Sequence, residues 1–446
     1  MKHRPARVAF GPLGRRHVLQ GGLGTLASVM ASRLLGGCET PTPAVDGGVD
    51  AFDPDALVPL PDDAASVDAA TVDAGPDWFE PREMPPRPAL RSRIAEIGPL
   101  GAPDANGVRV AEGFSARVLA RAGENVEGTS YTWHTFPDGG TCFPTLDGGW
   151  IYVSNSEVPI IGGVGMVRFD ASGAVVGAQR ILDRTSVNCA GGGTPWGSWL
   201  SCEEIARGRV FECDPHGEQT PRVRPALGVF KHEAVAVDPG RGVLYLTEDE
   251  PDGCFYRFTP AGTTPAGFPD LSRGRLDVAS VGVDGTVRWL EVPDPGYEGE
   301  VPTRRQVSEA TVFEGGEGIW FHEGVVYFST KGDNRVWALD VATDTLRVLY
   351  DAETAADPLL RGVDNLTVSC CGDVLVAEDG GSMQIVAILP DGTLRVLVQV
   401  IGQDGSEITG PAFDPSGTRL YFSSQRGGAS SQGITYVVEG PFHEPA

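Results

Sequence analysis

Trp199-Leu-Ser-Cys-Glu-Glu204 is the segment that decides the fold, because its pattern returns five more times. Two or three apolar residues come first, then a small hydroxyl or Ala, then polar groups. The other copies are Tyr152-Val-Ser-Asn-Ser-Glu157, Tyr245-Leu-Thr-Glu-Asp-Glu250, Tyr327-Phe-Ser-Thr-Lys331, Leu375-Val-Ala-Glu-Asp379 and Tyr421-Phe-Ser-Ser-Gln-Arg426. Successive starts lie 47, 46, 82, 48 and 46 residues apart. The long interval reads as one period plus an insertion within residues 260–312. Short apolar runs between Asp-Gly and Asp-Pro turns are strands, and helical periodicity is absent from residue 89 onward. Strands repeating every 40–50 residues, in units too small to bury themselves, predict a β-propeller. Six units predict six blades in an all-β domain; a large sandwich or solenoid is the alternative. In a propeller the polar ends of the innermost strands converge at the mouth of a central channel. Residues far apart in sequence then share one site.

Two sets of residues are candidates for that site. In Asn188-Cys-Ala-Gly-Gly-Gly-Thr-Pro-Trp-Gly-Ser-Trp-Leu-Ser-Cys-Glu-Glu204 a lone thiol beside an amide precedes a strand tipped by two carboxylates. Thiolate, amide oxygen and carboxylate form a mixed hard and soft ligand set, suited to iron beside calcium rather than to a closed zinc site. About 15 residues before the polar ends of three of the repeated segments lie Glu233, Glu317 and Asp364-Asn365, each opening a blade unit. Acids at matched repeat positions would ring the axis. Unpaired, they would repel one another and protonate, and cations are the remedy. For any one of them taken singly, a solvated turn acid is the simpler reading.

The chain ends carry a different message. Residues 1–37 hold six basic residues and no acid. Arg15-Arg16 precede an apolar, Gly-rich run from His17 to Met30, the layout of a twin-arginine export signal. The run is too short for a stable membrane span. It ends at Leu35-Gly36-Gly37-Cys38, which is similar to a lipobox and predicts acylation of Cys38; ordinary cleavage nearby is the alternative. Residues 38–88 are rich in Ala, Asp and Pro, and twelve acids stand against Arg82 alone between positions 39 and 85. Such a segment cannot bury a core and predicts a disordered tether. Its acids are largely offset by the basic leader, and the domain over 89–440, with 27 basic residues against 47 acids, is itself strongly acidic and carries most of the net charge of −25. That argues against nucleic acid as a partner. Contact with a membrane is expected only through a lipid on Cys38, in the periplasm or on a membrane-anchored lipoprotein, and the protein is read as a monomer. Seven further cysteines leave at least one unpaired; Cys202 and Cys213 flank a hairpin and are placed to pair, whereas adjacent Cys370-Cys371 are not. No zinc-finger spacing occurs.

Several motifs, in order, resemble the PhoX family of bacterial phosphatases over most of residues 105–430. They are Gly113-Phe114, Trp133-His134, Pro137-Asp-Gly-Gly140, Gly148-Gly-Trp-Ile-Tyr-Val-Ser-Asn-Ser-Glu157, the 188–204 stretch, Lys231-His-Glu233, Glu317-Gly318 and Tyr421-Phe-Ser-Ser-Gln-Arg-Gly427. The resemblance implies a six-bladed propeller, twin-arginine export and phosphoester hydrolysis by an iron and calcium cluster at the channel mouth. It implies Cys189 as thiolate ligand to iron and Glu233 and Glu317 as iron-ligand carboxylates. Glu157, Glu203, Glu204, Glu248 and Asp364 become calcium or bridging ligands. The metals would bind phosphoryl oxygens, neutralise charge and supply the nucleophile, so no Ser or His is needed. Only His134, His216, His232 and His322 fall within 89–440, which argues against a His-based zinc phosphatase.

Two positions depart from the family pattern. Gly315 stands where an Arg commonly grips the phosphate, and Ile205 where Asn commonly follows the paired Glu. Loss of such a clamp costs about 2–4 kcal/mol of transition-state binding. Lys231, Lys331 and Arg426 are the phosphate-binding candidates in its place. Two further readings stay open: a catalytically weak propeller that keeps metals and binds a ligand, and a calcium-dependent propeller lactonase, for which Cys189 has no use.

Overall fold

The computed structural model describes residues 78–356 and 358–446. The expected export signal, the expected acylation site at Cys38 and the expected tether up to residue 77 lie outside the described residues. Among these residues there are strands and three short 3-10 turns, and no α-helix.

Six antiparallel sheets form the body. Their innermost strands are Pro137–Pro144, Asn188–Gly193, His232–Asp238, Gly316–His322, Val363–Val368 and Ile408–Phe413. Each touches the next, and the sixth touches the first, so the ring closes. The architecture is a six-bladed β-propeller. The repeated sequence segments are the second strands: Trp150–Ser156, Trp199–Glu203, Val243–Glu248, Val325–Thr330, Val374–Glu378 and Arg419–Ser424. The sixth blade takes its outer strand, Ser115–Arg121, from the start of the domain and pairs it with Ile434–Glu439. The third blade carries a fifth strand, Val287–Glu291. That strand and the loop after it are the insertion expected within 260–312.

The apolar residues of the repeat pack between blades. Tyr152 of blade one stacks on Tyr421 of blade six at 4.9 Å, and Trp150 Nε1 donates to the Tyr421 hydroxyl at 3.1 Å. Such aromatic pairs add to burial and fix the stagger of neighbouring blades. Near the axis, by contrast, the strands need small residues. A Cβ on Gly139 would lie 2.5 Å from Ala190 Cα, and one on Gly318 would lie 2.2 Å from Leu366 N.

Two boundaries move. Residues 78–88, assigned to the tether by composition, are packed. Phe79 is buried with Trp196, Leu227 and Phe230, and Arg82 N donates to Trp196 O at 2.9 Å. The Arg82 guanidinium also pairs with buried Asp214. Composition averaged over the whole segment hides the apolar Trp78, Phe79 and Met84 at its end. At the other terminus, His443–Pro445 pairs with Leu90–Ser92, beyond the expected limit of 440. Cys202 and Cys213 are both free thiols. Cys202 faces Val210 and Cys213 faces Trp199, so the hairpin register sets them too far apart to bond.

Candidate metal centre

Each innermost strand contains one β-bulge near its start; in blades one to five it follows the first paired residue, and in blade six it falls one residue later, after Thr409. A bulge inserts a residue and re-aims the side chains beside it. The residues at this place are Asp138, Cys189, Glu233, Glu317, Asp364 and Thr409. The second strands of blades one, three and four brace it. Asn155 Nδ2 donates to Cys189 O at 3.1 Å, Thr247 Oγ1 to Glu317 O at 2.6 Å and Ser329 Oγ to Asp364 O at 2.6 Å. In each case a polar side chain on one blade holds the bulge of the next.

A second ring follows from the residue just after each second strand: Glu157, Glu204, Asp249, Lys331, Asp379 and Gln425. Each donates its amide to the residue preceding the neighbouring inner strand, namely Phe136, Val187, Lys231, Gly315, Gly362 and Glu407, at 2.7–3.3 Å. Six copies of one hydrogen bond therefore set the side chains of this ring around the mouth.

Between them the rings hold donor atoms in overlapping groups, each within 4.8 Å: Glu157, Cys189 and Glu204; Asp138, Glu157 and Glu407; Glu233, Glu317 and Asp364; Asp364, Asp379 and Glu407. Three cations reach in. Lys331 Nζ lies 3.1 Å from Glu317, 3.1 Å from Asp364 and 3.2 Å from Asp379. Lys231 Nζ bridges Glu204 and Asp249 at 3.0 Å each. Arg426 pairs with Glu407 and lies 3.7 Å from Glu157.

Three cations cannot balance these acids. Two like charges about 4.8 Å apart repel by about 3–4 kcal/mol at an effective dielectric of 20. Burial, then neighbouring carboxylates, hold Asp138, Glu157 and Glu233 well above the usual carboxylate range. Glu317 is raised by burial despite Lys331. Burial pushes Glu204 and Glu407 up to about 7. Burial also pushes the Cys189 thiol up, with Asp138 and Glu233 adding to it. Glu233 is the sharpest case: fully buried, with neither carboxylate oxygen hydrogen-bonded. A cation there would satisfy both oxygens and remove the repulsion, so the donor set fits bound metal. Just below, between Gly139, Ala190, Gly318 and Gly410, the channel narrows to a cavity of about 20 Å³. Donors therefore face one open end of the channel.

The structure brings Cys189, Glu157, Glu204, Glu233, Glu317 and Asp364 together at this mouth, with Lys231, Lys331 and Arg426 around them. Two expected ligands are turned away. Glu203 accepts from the amides of Ser186 and Arg209 at 3.0 and 3.2 Å. Glu248 accepts from Cys254 N at 3.2 Å and from the Tyr256 hydroxyl at 2.7 Å. Both are last residues of second strands, and strand alternation sends them opposite to the next residue, Glu204 or Asp249. Glu378 occupies the same place in blade five and likewise binds loop amides. Asp138, Glu407 and Asp379 also belong to these donor groups, and Asp249 and Gln425 stand in the same second ring; none of the five was among the expected ligands. Four of the five sit at repeat positions equivalent to residues already singled out, which was the available signal.

Residues 177–348 match the family model described as alkaline phosphatase PhoX. The match runs from the outer strand of blade one through blade four and contains Cys189, Glu204, Glu233 and Glu317. Among solved structures, Pseudomonas fluorescens PhoX in complex with vanadate, a transition state analogue, shares the fold. It aligns with a TM-score of 0.62 and 16% identity, over 79% of this chain and 98% of that one. A gluconolactonase from Xanthomonas campestris aligns at TM-score 0.43 and 15% identity, over 77% and 98% of the two chains. A calcium-binding regucalcin from Agrobacterium tumefaciens aligns at 0.42 and 15%, over 74% and 96%. No curated protein matches by sequence. The segment that supplies blades two to four, with four ring residues in place, therefore matches the PhoX family model, and the propeller as a whole shares the fold of a PhoX structure.

Proposed function

We propose that the protein is a metal-dependent phosphoester hydrolase whose iron and calcium ions sit among the ring donors. The carrying observation is Glu233, buried with both oxygens unpartnered beside Glu317 and Asp364. Cys189, within reach of Glu157 and Glu204, is the soft donor expected of iron. The oxygen-only groups around Asp138, Glu407 and Asp379 suit calcium. Bound metals would supply Lewis acidity and the nucleophile.

The chain's own part is to bind and orient phosphate. Lys231, Lys331 and Arg426 are engaged with carboxylates that metals would neutralise, which leaves their donors for phosphoryl oxygens. Lys231 precedes Glu233 by two residues, the place in its blade that Gly315 holds relative to Glu317 in the next. The phosphate clamp missing at 315 is thereby replaced from the adjacent blade. The cleft of about 620 Å³ beside Arg426, lined by Gln403, Asp404 and Ser406, offers room for the rest of a small phosphoester.

Arg15-Arg16, the apolar run to Met30 and Cys38 support export by the twin-arginine route and lipid anchoring, with the domain acting as a monomer in the periplasm. The test is direct: a p-nitrophenyl phosphate assay on the metal-loaded chain and on Lys231→Met. The proposal requires metal-dependent turnover that falls at least tenfold in the variant with metal content unchanged. Bound metal without turnover on a broad phosphoester panel would favour the ligand-binding propeller instead. A calcium-only protein that hydrolyses lactones would favour the lactonase.

A further inference from the structure

The opposite end of the propeller holds a second group of donors that the catalytic reading does not use. The turn after the blade-five inner strand presents adjacent Cys370 and Cys371, and the C-terminal strand presents His443. One ligand atom from each lies within 4.8 Å of the others. Six residues of strand separate Asp364 from Cys370, which is about 20 Å along the channel.

Three features fit these residues to a thiophilic ion. First, His443 is buried and its Nδ1 lies 2.8 Å from Gly417 O. A carbonyl only accepts, so Nδ1 carries the hydrogen and the neutral ring keeps its lone pair on Nε2. That Nε2 is buried and has no partner. Carbonyl-fixed imidazoles of this kind are the usual metal-ligand tautomer. Second, the two sulfur atoms are 3.6 Å apart. Two thiolates on a tetrahedral zinc, at about 2.3 Å from the metal, stand about 3.8 Å apart. A disulfide needs about 2 Å. Third, the turn is preorganised: Ser369 Oγ donates to Asp373 and accepts from the amides of Cys371 and Asp373. Cys370 lies at the solvent edge and opens a path for the ion, beside a cavity of about 90 Å³ bounded by Arg87, Trp320 and Asp414.

We propose that Cys370, Cys371 and His443 form a zinc site with one position open to the cavity. Zinc replaces the two thiol hydrogens, so binding releases two protons to solvent and changes no oxidation state. Because two thiol protons leave on binding, uptake strengthens as pH rises. The ion ties the last strand, His443–Pro445, and its partner Leu90–Ser92 to blade five. No spacing motif marks this site in the sequence, because imidazole and thiols come from different parts of the chain.

The experiment uses the full chain, reduced and stripped by chelator, then titrated with zinc against a competing chelator. Proton release and the thiolate charge-transfer band of a cobalt replacement are read in parallel. Wild type and Cys189→Ser are expected to bind this zinc equivalent and release two protons. Cys370→Ser, which alters an exposed residue, and Cys371→Ser are expected to lose that equivalent while keeping Cys189-dependent metal. Retention of the equivalent in both Cys370→Ser and Cys371→Ser, or no zinc uptake by reduced wild type, would overturn the proposal.

Discussion

Metal removal should make stability depend steeply on pH, and the sign follows from the ring carboxylates. Glu204 and Glu407 are each raised from 4.5 to about 7 when no metal is bound. Below pH 4.5 both folded and unfolded chains hold these protons, and neither group costs anything. Between 4.5 and 7 the unfolded chain releases them while the folded one keeps them. Each group then destabilises the fold by about 1.4 kcal/mol per pH unit, reaching about 3 kcal/mol by pH 7. Above 7 both states are ionised and the cost stays level. Asp138, Glu157, Glu233 and Glu317 shift the same way and extend the loss to higher pH. Bound cations reverse this, since they favour the ionised forms. The assay is urea unfolding of chelated and metal-loaded protein at pH 5 and pH 8. Chelation should cost at least about 3 kcal/mol more at pH 8 than at pH 5. Equal costs at the two pH values, or a larger one at pH 5, would refute the placement of these acids in a shared site.

Other substitutions separate the parts of the account. Cys189→Ala should abolish iron and its visible absorption while the propeller's circular dichroism persists; unchanged iron content would remove Cys189 from the ligands. Glu204→Gln should lower metal content. The adjacent Glu203→Gln should instead keep metal and lose about 1–3 kcal/mol of stability, as two loop amides lose their carboxylate; calorimetry and metal analysis of the pair would expose an inverted assignment. Arg82→Ala should destabilise the domain by about 1–3 kcal/mol by leaving Asp214 short of a charged partner, and denaturant unfolding indistinguishable from wild type would contradict the packing of residues 78–88.

The repeat was legible because second strands carry the large residues that pack between blades, as Tyr152 and Tyr421 show. Six of the ring donors were legible too, through acids or a thiol at matched intervals. What the sequence could not show is register. In Glu203-Glu204 only one side chain faces the axis, and the choice depends on where the second strand ends and its alternation stops, which leaves no mark in residue type. Glu407 was missed for a related reason: it looks like an ordinary turn acid until the closing of blade six onto blade one brings it beside Asp138. The tether limit failed because a few apolar side chains at the end of an acidic stretch outweigh its composition once Asp214 and Trp196 are there to receive them.

The central claim is that the two rings are one metal-dependent hydrolytic site. Its most direct test is metal content per chain measured alongside p-nitrophenyl phosphate turnover for wild type and Glu233→Gln. Iron and calcium with turnover in wild type, and loss of both metal and turnover in the variant, are the predicted result. Full metal content and unchanged turnover in Glu233→Gln would contradict it.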